Sequence, residues 1–260
     1  MKKTVVALLI GSIILAPLCA GGNKDKAMSA KKTEIMISAA ASLKNCIQDL
    51  SAMYTEKNPQ VTATANFGAS GALQQQIEQG APADIFFSAG IKQMNALKEK
   101  GMMFDSSVKN ILENKVVLIT PKNAATVASF EDLAGDSVKK IGVGEPKSVP
   151  VGQYTEQVFQ NLGLTDKVAS KLVLAKDVRE VLSWVETGNV DAGVVYETDA
   201  KISKDVTICA TAPENSHKKV IYPIGVVKAS THAAEAQKFV DFLFSDAARE
   251  VFARYGFTVL

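Results

Sequence analysis

Two serines, Ser42 and Ser70, each lie where a short apolar, strand-like run meets the start of a helix (residues 34–41 and 61–69 precede them). A small residue at such a junction lets a ligand approach the backbone. Serine also adds a hydroxyl beside N–H groups that have no acceptor within the helix. Because the start of a helix is electropositive and rich in donors, it favours an anion. Two such junctions in one chain predict a clamp for an oxyanion.

Three further junctions carry similar groups. The turn at residues 144–152 is rich in proline and glycine and leads into a helix at Val151. Asp177 opens another helix in a capping-box pattern, which leaves the N–H of Val178 without an intrahelical acceptor. Tyr196 ends a strand with a phenol, a donor that is neutral at pH 7. Each alone is typical of an ordinary helix start or strand end, so only the set indicates a site.

The composition limits the classes of function. The chain has 260 residues, 47% of them hydrophobic, which is enough for one domain or two smaller lobes. Its formal net charge of +2 falls to zero without Lys2 and Lys3, so no basic field for nucleic acid is expected. With only His217 and His232, and no CxxC or HxxxH spacing, neither a metal site nor a cofactor is expected.

The N-terminus has the pattern of an export signal, which we assign to residues 1–19. Two lysines precede an apolar stretch over residues 5–15 that is too short for a comfortable membrane span. Cys19 resembles the lipidated cysteine of a bacterial lipoprotein, although Leu18 stands where a small residue is usual. Ordinary cleavage near Ala20 is the alternative. Either way, the mature protein is expected to work outside the cytoplasmic membrane.

Residues 20–32 carry almost no large apolar side chains and are predicted to form a flexible tether. Two cysteines follow it, Cys46 in an amphipathic helix and Cys209 in an apolar strand. We expect two separate buried thiols rather than a disulfide.

Strands and helices alternate along the rest of the chain. This alternation predicts an α/β fold of two lobes, each a mixed, mostly parallel sheet covered by helices. We interpret the long strands at residues 116–120 and 220–227 as the two connections between the lobes. Lobe 1 would comprise residues 33–115 with 216–260, and lobe 2 residues 116–215. Ligands in such folds bind at the carboxyl ends of strands, here in a cleft between hinged lobes.

Together, eight ordered motifs resemble the molybdate-binding proteins of bacterial ABC importers, and the resemblance runs from about Thr33 to Leu260. The motifs are Ala39–Leu43, Gly80–Phe86, Gly142–Pro146, Val149–Gly152, Asp177–Arg179, Gly193–Tyr196, Ser216–Lys219 and Arg254–Phe257.

The resemblance implies a type II-like periplasmic-binding-protein fold with a bare tetrahedral molybdate or tungstate in the cleft. Ser42 and Ser70 would each supply a hydroxyl and a backbone N–H, Val151 and Val178 backbone N–H groups, and Tyr196 its hydroxyl. These residues would contact the oxyanion, and none would ligate the metal directly. The implied partners are a membrane permease and its ATPase, with the receptor itself a monomer anchored through Cys19.

Other functions fit the sequence less well. A receptor for another tetrahedral oxyanion such as sulfate is the main alternative, because only the size of the cavity could exclude it. Organic acids usually require an arginine clamp, and Arg179, the only arginine near the predicted cleft, is expected to be structural. An enzyme is disfavoured because the serines have no evident base, and no complete dinucleotide or phosphate loop is present.

Overall fold

The strands of the computed structural model belong to two separate mixed sheets. The structure describes residues 32–122, 124 and 127–260. The predicted signal peptide, nearly all of the predicted tether and Cys19 lie outside the described residues.

Most elements follow one another in the alternation that the sequence predicts, whereas the strands at residues 109–114 and 258–259 are additions to it. In the first part of the chain they are β1 (Thr33–Ala40), a 3-10 turn (Ala41–Leu43), α1 (Lys44–Lys57), β2 (Val61–Gly68), α2 (Ser70–Glu78), β3 (Ile85–Phe87), α3 (Ile91–Glu99), β4 (Lys109–Asn114) and β5 (Val116–Pro121). In the second part they are β6 (Ile141–Gly144), α4 (Pro150–Asn161), α5 (Thr165–Val168), β7 (Leu172–Ala175), α6 (Val178–Glu186), β8 (Ala192–Tyr196), α7 (Glu197–Lys201), β9 (Val206–Thr211), β10 (Val220–Val226), α8 (Ala233–Phe242), α9 (Asp246–Arg254) and β11 (Thr258–Val259).

The first sheet has the strand order β11-β4-β10-β3-β1-β2, and the second has the order β7-β6-β8-β5-β9. We call the first sheet with its helices lobe 1 and the second with its helices lobe 2. Parallel pairs join β1 to β2 and β3, and β6 to β7 and β8. The pairs made by β10, β11 and β5 are antiparallel. The antiparallel share is larger than the alternation suggests, because β5 and β10 enter their sheets without a crossover helix.

The interpretation of residues 116–120 and 220–227 as connections between lobes is wrong. The first segment is β5, which pairs with β8 and β9 inside the second sheet. The second is β10, which pairs with β3 and β4 inside the first sheet. The chain instead leaves the first sheet at Lys115 and returns through residues 212–219. Apolar residues in both strands are explained by burial in a sheet. The exact limits of the lobes stay a prediction.

The predicted apolar face of α1 packs into the core. Ile47, Leu50 and Tyr54 are buried at the helical spacing that the sequence displays. The ring of Tyr54 lies edge-on to Phe239 of α8, with the ring centroids 5.0 Å apart. Burial of each such side chain contributes about 1.5–3 kcal/mol, so this face holds α1 and the residues before it on the sheet.

The two cysteines of the described residues are free, as expected. Cys46 is buried in α1, and burial raises the pKa of its thiol far above the ordinary range. Cys209 is half-buried rather than buried, because β9 is an edge strand of the second sheet.

Candidate ligand-binding site

The five residues predicted to bind a ligand line one small cavity. Ser42 and Ser70 come from lobe 1, whereas Val151, Val178 and Tyr196 come from lobe 2. The volume inside it that the centre of a water-sized sphere can reach is about 10 Å³. Pockets for drug-sized ligands occupy about 300–1,000 Å³. The cavity therefore suits a compact ligand of a few atoms.

Helix starts surround this cavity. Ser70 is the first residue of α2, Val178 is the first of α6, and Val151 follows Pro150 at the start of α4. Ser42 lies in the 3-10 turn that precedes α1. The N–H groups in the first turn of a helix have no intrahelical acceptor, and the dipole of the helix makes this end positive. The two lobes thus direct backbone donors toward the same space.

The cap of α6 leaves one N–H free for the cavity. The carboxylate of Asp177 accepts hydrogen bonds from the N–H groups of Arg179 (2.9 Å) and Glu180 (3.0 Å), as the capping pattern predicts. Glu180 in turn accepts from the N–H of Lys176 rather than from that of Asp177. The N–H of Val178 takes part in neither bond. Asp177 also lines the cavity, and these two bonds hold its carboxylate against its own helix.

Tyr196 brings a buried hydroxyl that has no hydrogen-bond partner among the described residues. The residue is 1% exposed and lines the cavity. Burial, reinforced by neighbouring Tyr222, raises the pKa of Tyr196 well above its ordinary value, so the phenol keeps its proton. A buried polar group without a partner costs about 1–3 kcal/mol. A ligand that accepts from this hydroxyl would remove that cost.

Each serine hydroxyl oxygen has one hydrogen-bond partner within the protein. The N–H of Ala89 donates to Oγ of Ser70 at 2.9 Å. Oγ of Ser42 lies 3.0 Å from the hydroxyl oxygen of Tyr222. The proton of Ser70 is therefore left for an acceptor inside the cavity.

Arg179 points away from the cavity. Its guanidinium pairs with the carboxylate of Asp199 in α7 and donates to Oδ1 of Asn45 in α1, at 3.0 Å. Burial outweighs the attraction of Arg179 and raises the pKa of Asp199 to about 6. No lysine or arginine of the described residues lines the cavity. The polar surface offered to a ligand therefore consists mainly of neutral donors.

The lobes touch directly beside the cavity. The N–H of Gly71 in α2 donates to the carbonyl of Ser148 in lobe 2 at 2.9 Å. A Cβ atom on Gly71 would lie 2.4 Å from that carbonyl oxygen, so only glycine allows this approach. The bond between Arg179 and Asn45 makes a second contact between the lobes. The structure thus describes the lobes closed over the cavity.

Sequence reasoning missed four residues that support the site: Gly71, Asn114, Ser148 and Tyr222. Glycine in the first turn of a helix is a weak signal for a close backbone approach, and it could have drawn attention to Gly71. Asn114 and Tyr222 lie 72 and 180 positions along the chain from Ser42 and carry no local signal.

Two mixed-sheet lobes that close on a small, donor-lined cavity define a solute-binding receptor. The family described as bacterial extracellular solute-binding protein matches residues 35–258. The chain belongs to this family, which is one of solute-binding proteins and not a class of enzymes. Among the described residues, no helix is both long and apolar enough to cross a membrane.

Three similar proteins, two of them known by sequence and one by its solved structure, show which solute-binding proteins the chain resembles. The Bacillus subtilis protein YvgL, provisionally named an ABC transporter substrate-binding lipoprotein, is 42% identical over 99% of this chain and 98% of its own. The molybdate-binding protein ModA of Haemophilus influenzae is 39% identical over 95% of this chain and 97% of its own. A solved substrate-binding domain from Clostridium difficile, provisionally assigned to a molybdenum ABC transporter, is 43% identical. It covers 88% of this chain and 100% of its own, with a TM-score of 0.69. The resemblance to molybdate-binding proteins that the motifs indicate, and the two-lobed fold, are confirmed.

Proposed function

We propose that the protein is the extracytoplasmic receptor of a molybdate or tungstate ABC importer. It holds the dehydrated tetrahedral dianion between its lobes and delivers it to a membrane permease that a separate ATPase drives. The observation that carries this proposal is the convergence of neutral donors from both lobes on one small cavity. The names of the relatives agree with it.

Each proposed ligand contact is a hydrogen-bond donor. Ser42 and Ser70 each contribute an O–H and an N–H, Val151 and Val178 contribute N–H groups, and Tyr196 contributes an O–H. Hydrogen bonds to a charged group contribute about 1.5–3 kcal/mol each, or on the order of 10–20 kcal/mol for such a set. Because removing water from a dianion costs tens of kcal/mol in an apolar medium, the donors must be aimed before the ligand arrives. Helix starts and buried hydroxyls meet that condition.

The same donors make the receptor selective. Hydrogen phosphate carries a proton that requires an acceptor, and no carboxylate is among the proposed contacts. Sulfate is fully deprotonated, like molybdate, and differs from it mainly in bond length. Sulfate is therefore the alternative ligand, and only the spacing of the donors in the closed cavity can discriminate against its shorter bonds.

Binding is coupled to transport through the shape of the receptor. An anion that touches donors on both lobes stabilises the closed arrangement over the open one. The permease recognises the closed receptor, and lipidated Cys19 keeps the receptor, a monomer, at the outer face of the membrane. The name of the Bacillus relative supports the lipid anchor.

Isothermal titration calorimetry of the mature protein with molybdate, tungstate, sulfate and hydrogen phosphate tests this function. We expect molybdate and tungstate to bind tightly and hydrogen phosphate to bind much more weakly. Ser42→Ala and Ser70→Ala should each weaken molybdate binding by about 1.5–3 kcal/mol, whereas Ser183→Ala, on the exposed face of α6, should have no effect. Strong heat from sulfate and none from molybdate would overturn the assignment. If both cavity variants bind molybdate as tightly as the wild type, the binding site lies elsewhere in the protein.

A further inference from the structure

We propose that Asn114 and Tyr222 are positioning residues that fix the direction of the Ser42 hydroxyl, so that its proton faces the ligand. This inference rests on the proposed function, since it assigns the cause of selectivity at the same site. Asn114, Tyr222 and Ser42 are all buried, and each lies in lobe 1. They form a chain of hydrogen bonds that ends at the cavity.

The direction of these hydrogen bonds is set at Asn114, the last residue of β4. Its Oδ1 accepts from the backbone N–H of Lys115 at 2.9 Å, which identifies the other end of the amide as the donor. That end, Nδ2, donates to the hydroxyl oxygens of Thr198 at 2.8 Å and of Tyr222 at 3.2 Å. An amide nitrogen has two protons and accepts none. Tyr222 is therefore an acceptor toward Asn114.

The hydroxyl of Tyr222 must then donate its own hydrogen bond to another acceptor. Its hydroxyl is fully buried, and Oγ of Ser42, 3.0 Å away, is its other hydrogen-bond partner in the described structure. If Ser42 donated instead, the buried proton of Tyr222 would have no acceptor, at the cost of an unsatisfied polar group. Burial also raises the pKa of Tyr222 well above its ordinary value, so the proton stays on the phenol.

Ser42 accepts from Tyr222 and so keeps its own proton for the cavity that it lines. Ser70 reaches the same state by another route, because the backbone N–H of Ala89 donates to its Oγ. Because the donor to Ser70 is a backbone N–H, this hydrogen bond keeps its direction whatever side chain residue 89 carries. The direction at Ser42, by contrast, depends on two side chains. Reversing that direction would turn Ser42 into an acceptor, which is the group that a protonated oxyanion needs.

The chain of bonds also spans the lobes. Asn114 lies immediately before the crossing at Lys115, and Thr198, its second acceptor, belongs to α7 of lobe 2. The side-chain amide of Asn114 therefore donates to one hydroxyl in each lobe, and these two bonds fix the orientation of Nδ2. Thr198 offers a matched control, because its loss removes one bond of Asn114 and leaves the branch toward Ser42 in place.

A double-mutant cycle on the mature protein tests the inference by calorimetry, with thermal unfolding to verify that each variant is folded. Tyr222→Phe should weaken molybdate binding by about 3- to 10-fold in the wild-type background. In the Ser42→Ala background it should change binding less than about twofold, because Tyr222 acts through Ser42. An equal loss in both backgrounds would mean a merely structural role and would overturn the inference. So would binding unchanged by Tyr222→Phe in the wild-type background.

Asn114→Asp supplies an independent test, which also decides the matter if Tyr222→Phe does not fold. A carboxylate facing Tyr222 accepts a hydrogen bond from its phenol O–H, and Ser42 then donates to the Tyr222 oxygen and offers the cavity a lone pair. The ratio of the affinities for molybdate and hydrogen phosphate, measured at mildly alkaline pH, should fall by about tenfold or more. Both ligands are dianions there, so the added charge acts on both alike. Thr198→Val should leave the ratio unchanged.

The outcomes separate this inference from the proposed function. An unchanged ratio in Asn114→Asp overturns the inference while wild-type binding of molybdate upholds the function. If the wild type binds sulfate rather than molybdate, the proposed ligand is wrong. In that case the double-mutant cycle, and the ratio of the affinities for sulfate and hydrogen phosphate, still test the direction of the Ser42 hydroxyl. If the wild type binds none of these anions, both proposals fall.

Discussion

At the scale of single residues, the cavity meets its ligand with hydroxyl and N–H groups instead of cationic side chains. A lysine or arginine attracts any anion, whereas a directional donor discriminates by whether the ligand atom facing it can accept. Ser42, Ser70 and Tyr196 each point a neutral group at the cavity. Tyr196 differs from the serines because its hydroxyl has no other partner in the described structure.

Tyr196→Phe tests this difference. The substitution removes a buried hydroxyl without a protein partner, so the ligand-free protein should unfold at an equal or higher temperature than the wild type. Molybdate binding should weaken by about 1.5–3 kcal/mol, because a donor to a charged ligand is lost. Thermal unfolding without and with molybdate, together with calorimetry, measures both effects. Tyr255→Phe, far from the cavity lining, serves as the control. A large loss of stability in the ligand-free variant would contradict the role assigned to Tyr196.

At the scale of elements, the starts of α2, α4 and α6 do the positioning. A helix start is rigid, since the turns behind it are hydrogen-bonded, and its free N–H groups cannot rotate away as a flexible side chain can. The close approach of α2 to the loop before α4 brings donors from both lobes within reach of one small ion. The N–H of Gly71 and the carbonyl of Ser148 form that contact.

Gly71→Ala should therefore separate stability from binding. Alanine stabilises a helix relative to glycine by about 0.5–1 kcal/mol, so the substitution should not weaken the fold. Its Cβ would meet the carbonyl oxygen of Ser148 at 2.4 Å and hold the lobes apart. We expect molybdate affinity to fall by about 1–3 kcal/mol, measured by calorimetry, with an unfolding temperature at or above that of the wild type.

Gln75→Ala, on the exposed side of the same helix, is the control and should bind like the wild type. If Gly71→Ala also retains wild-type affinity, tight contact between α2 and the loop is not needed for binding.

At the scale of the whole molecule, two crossings join the lobes, at Lys115 and through residues 212–219. Such a pair of crossings allows the lobes to open and close around the cavity while each sheet keeps its own core. Arg179 adds a contact between α6 and α1 that forms only when the lobes are close, because its partners Asp199 and Asn45 belong to different lobes. Two separate contacts between the lobes thus support closure.

The whole receptor must also stay near its permease, which the predicted lipid on Cys19 provides. Bacteria that express the full chain and grow with labelled palmitate should incorporate the label into the wild-type protein. Cys19→Ser should remain unlabelled, which is the matched control. A wild-type protein without label would instead indicate ordinary cleavage near Ala20 and a freely secreted receptor.

Much of the fold was predictable because strand–helix alternation and helix starts are local patterns. The apolar spacing in α1 and the cap at Asp177 are visible within a few residues, and both are confirmed. The roles of β5 and β10 were not predictable in this way. A buried strand in a sheet and an apolar connection between lobes have the same composition, and only pairing distinguishes them.

The sequence by itself determined most of the elements, the order of the motifs and the five residues that meet at the cavity, because each depends on its immediate neighbours. Tertiary structure alone decided how closely Gly71 approaches Ser148 and which way the hydroxyl of Ser42 points. These properties depend on groups far apart in the chain, such as Asn114 and Tyr222. A hydrogen bond takes its direction from every partner in its network, and the network exists only once the sheets have assembled.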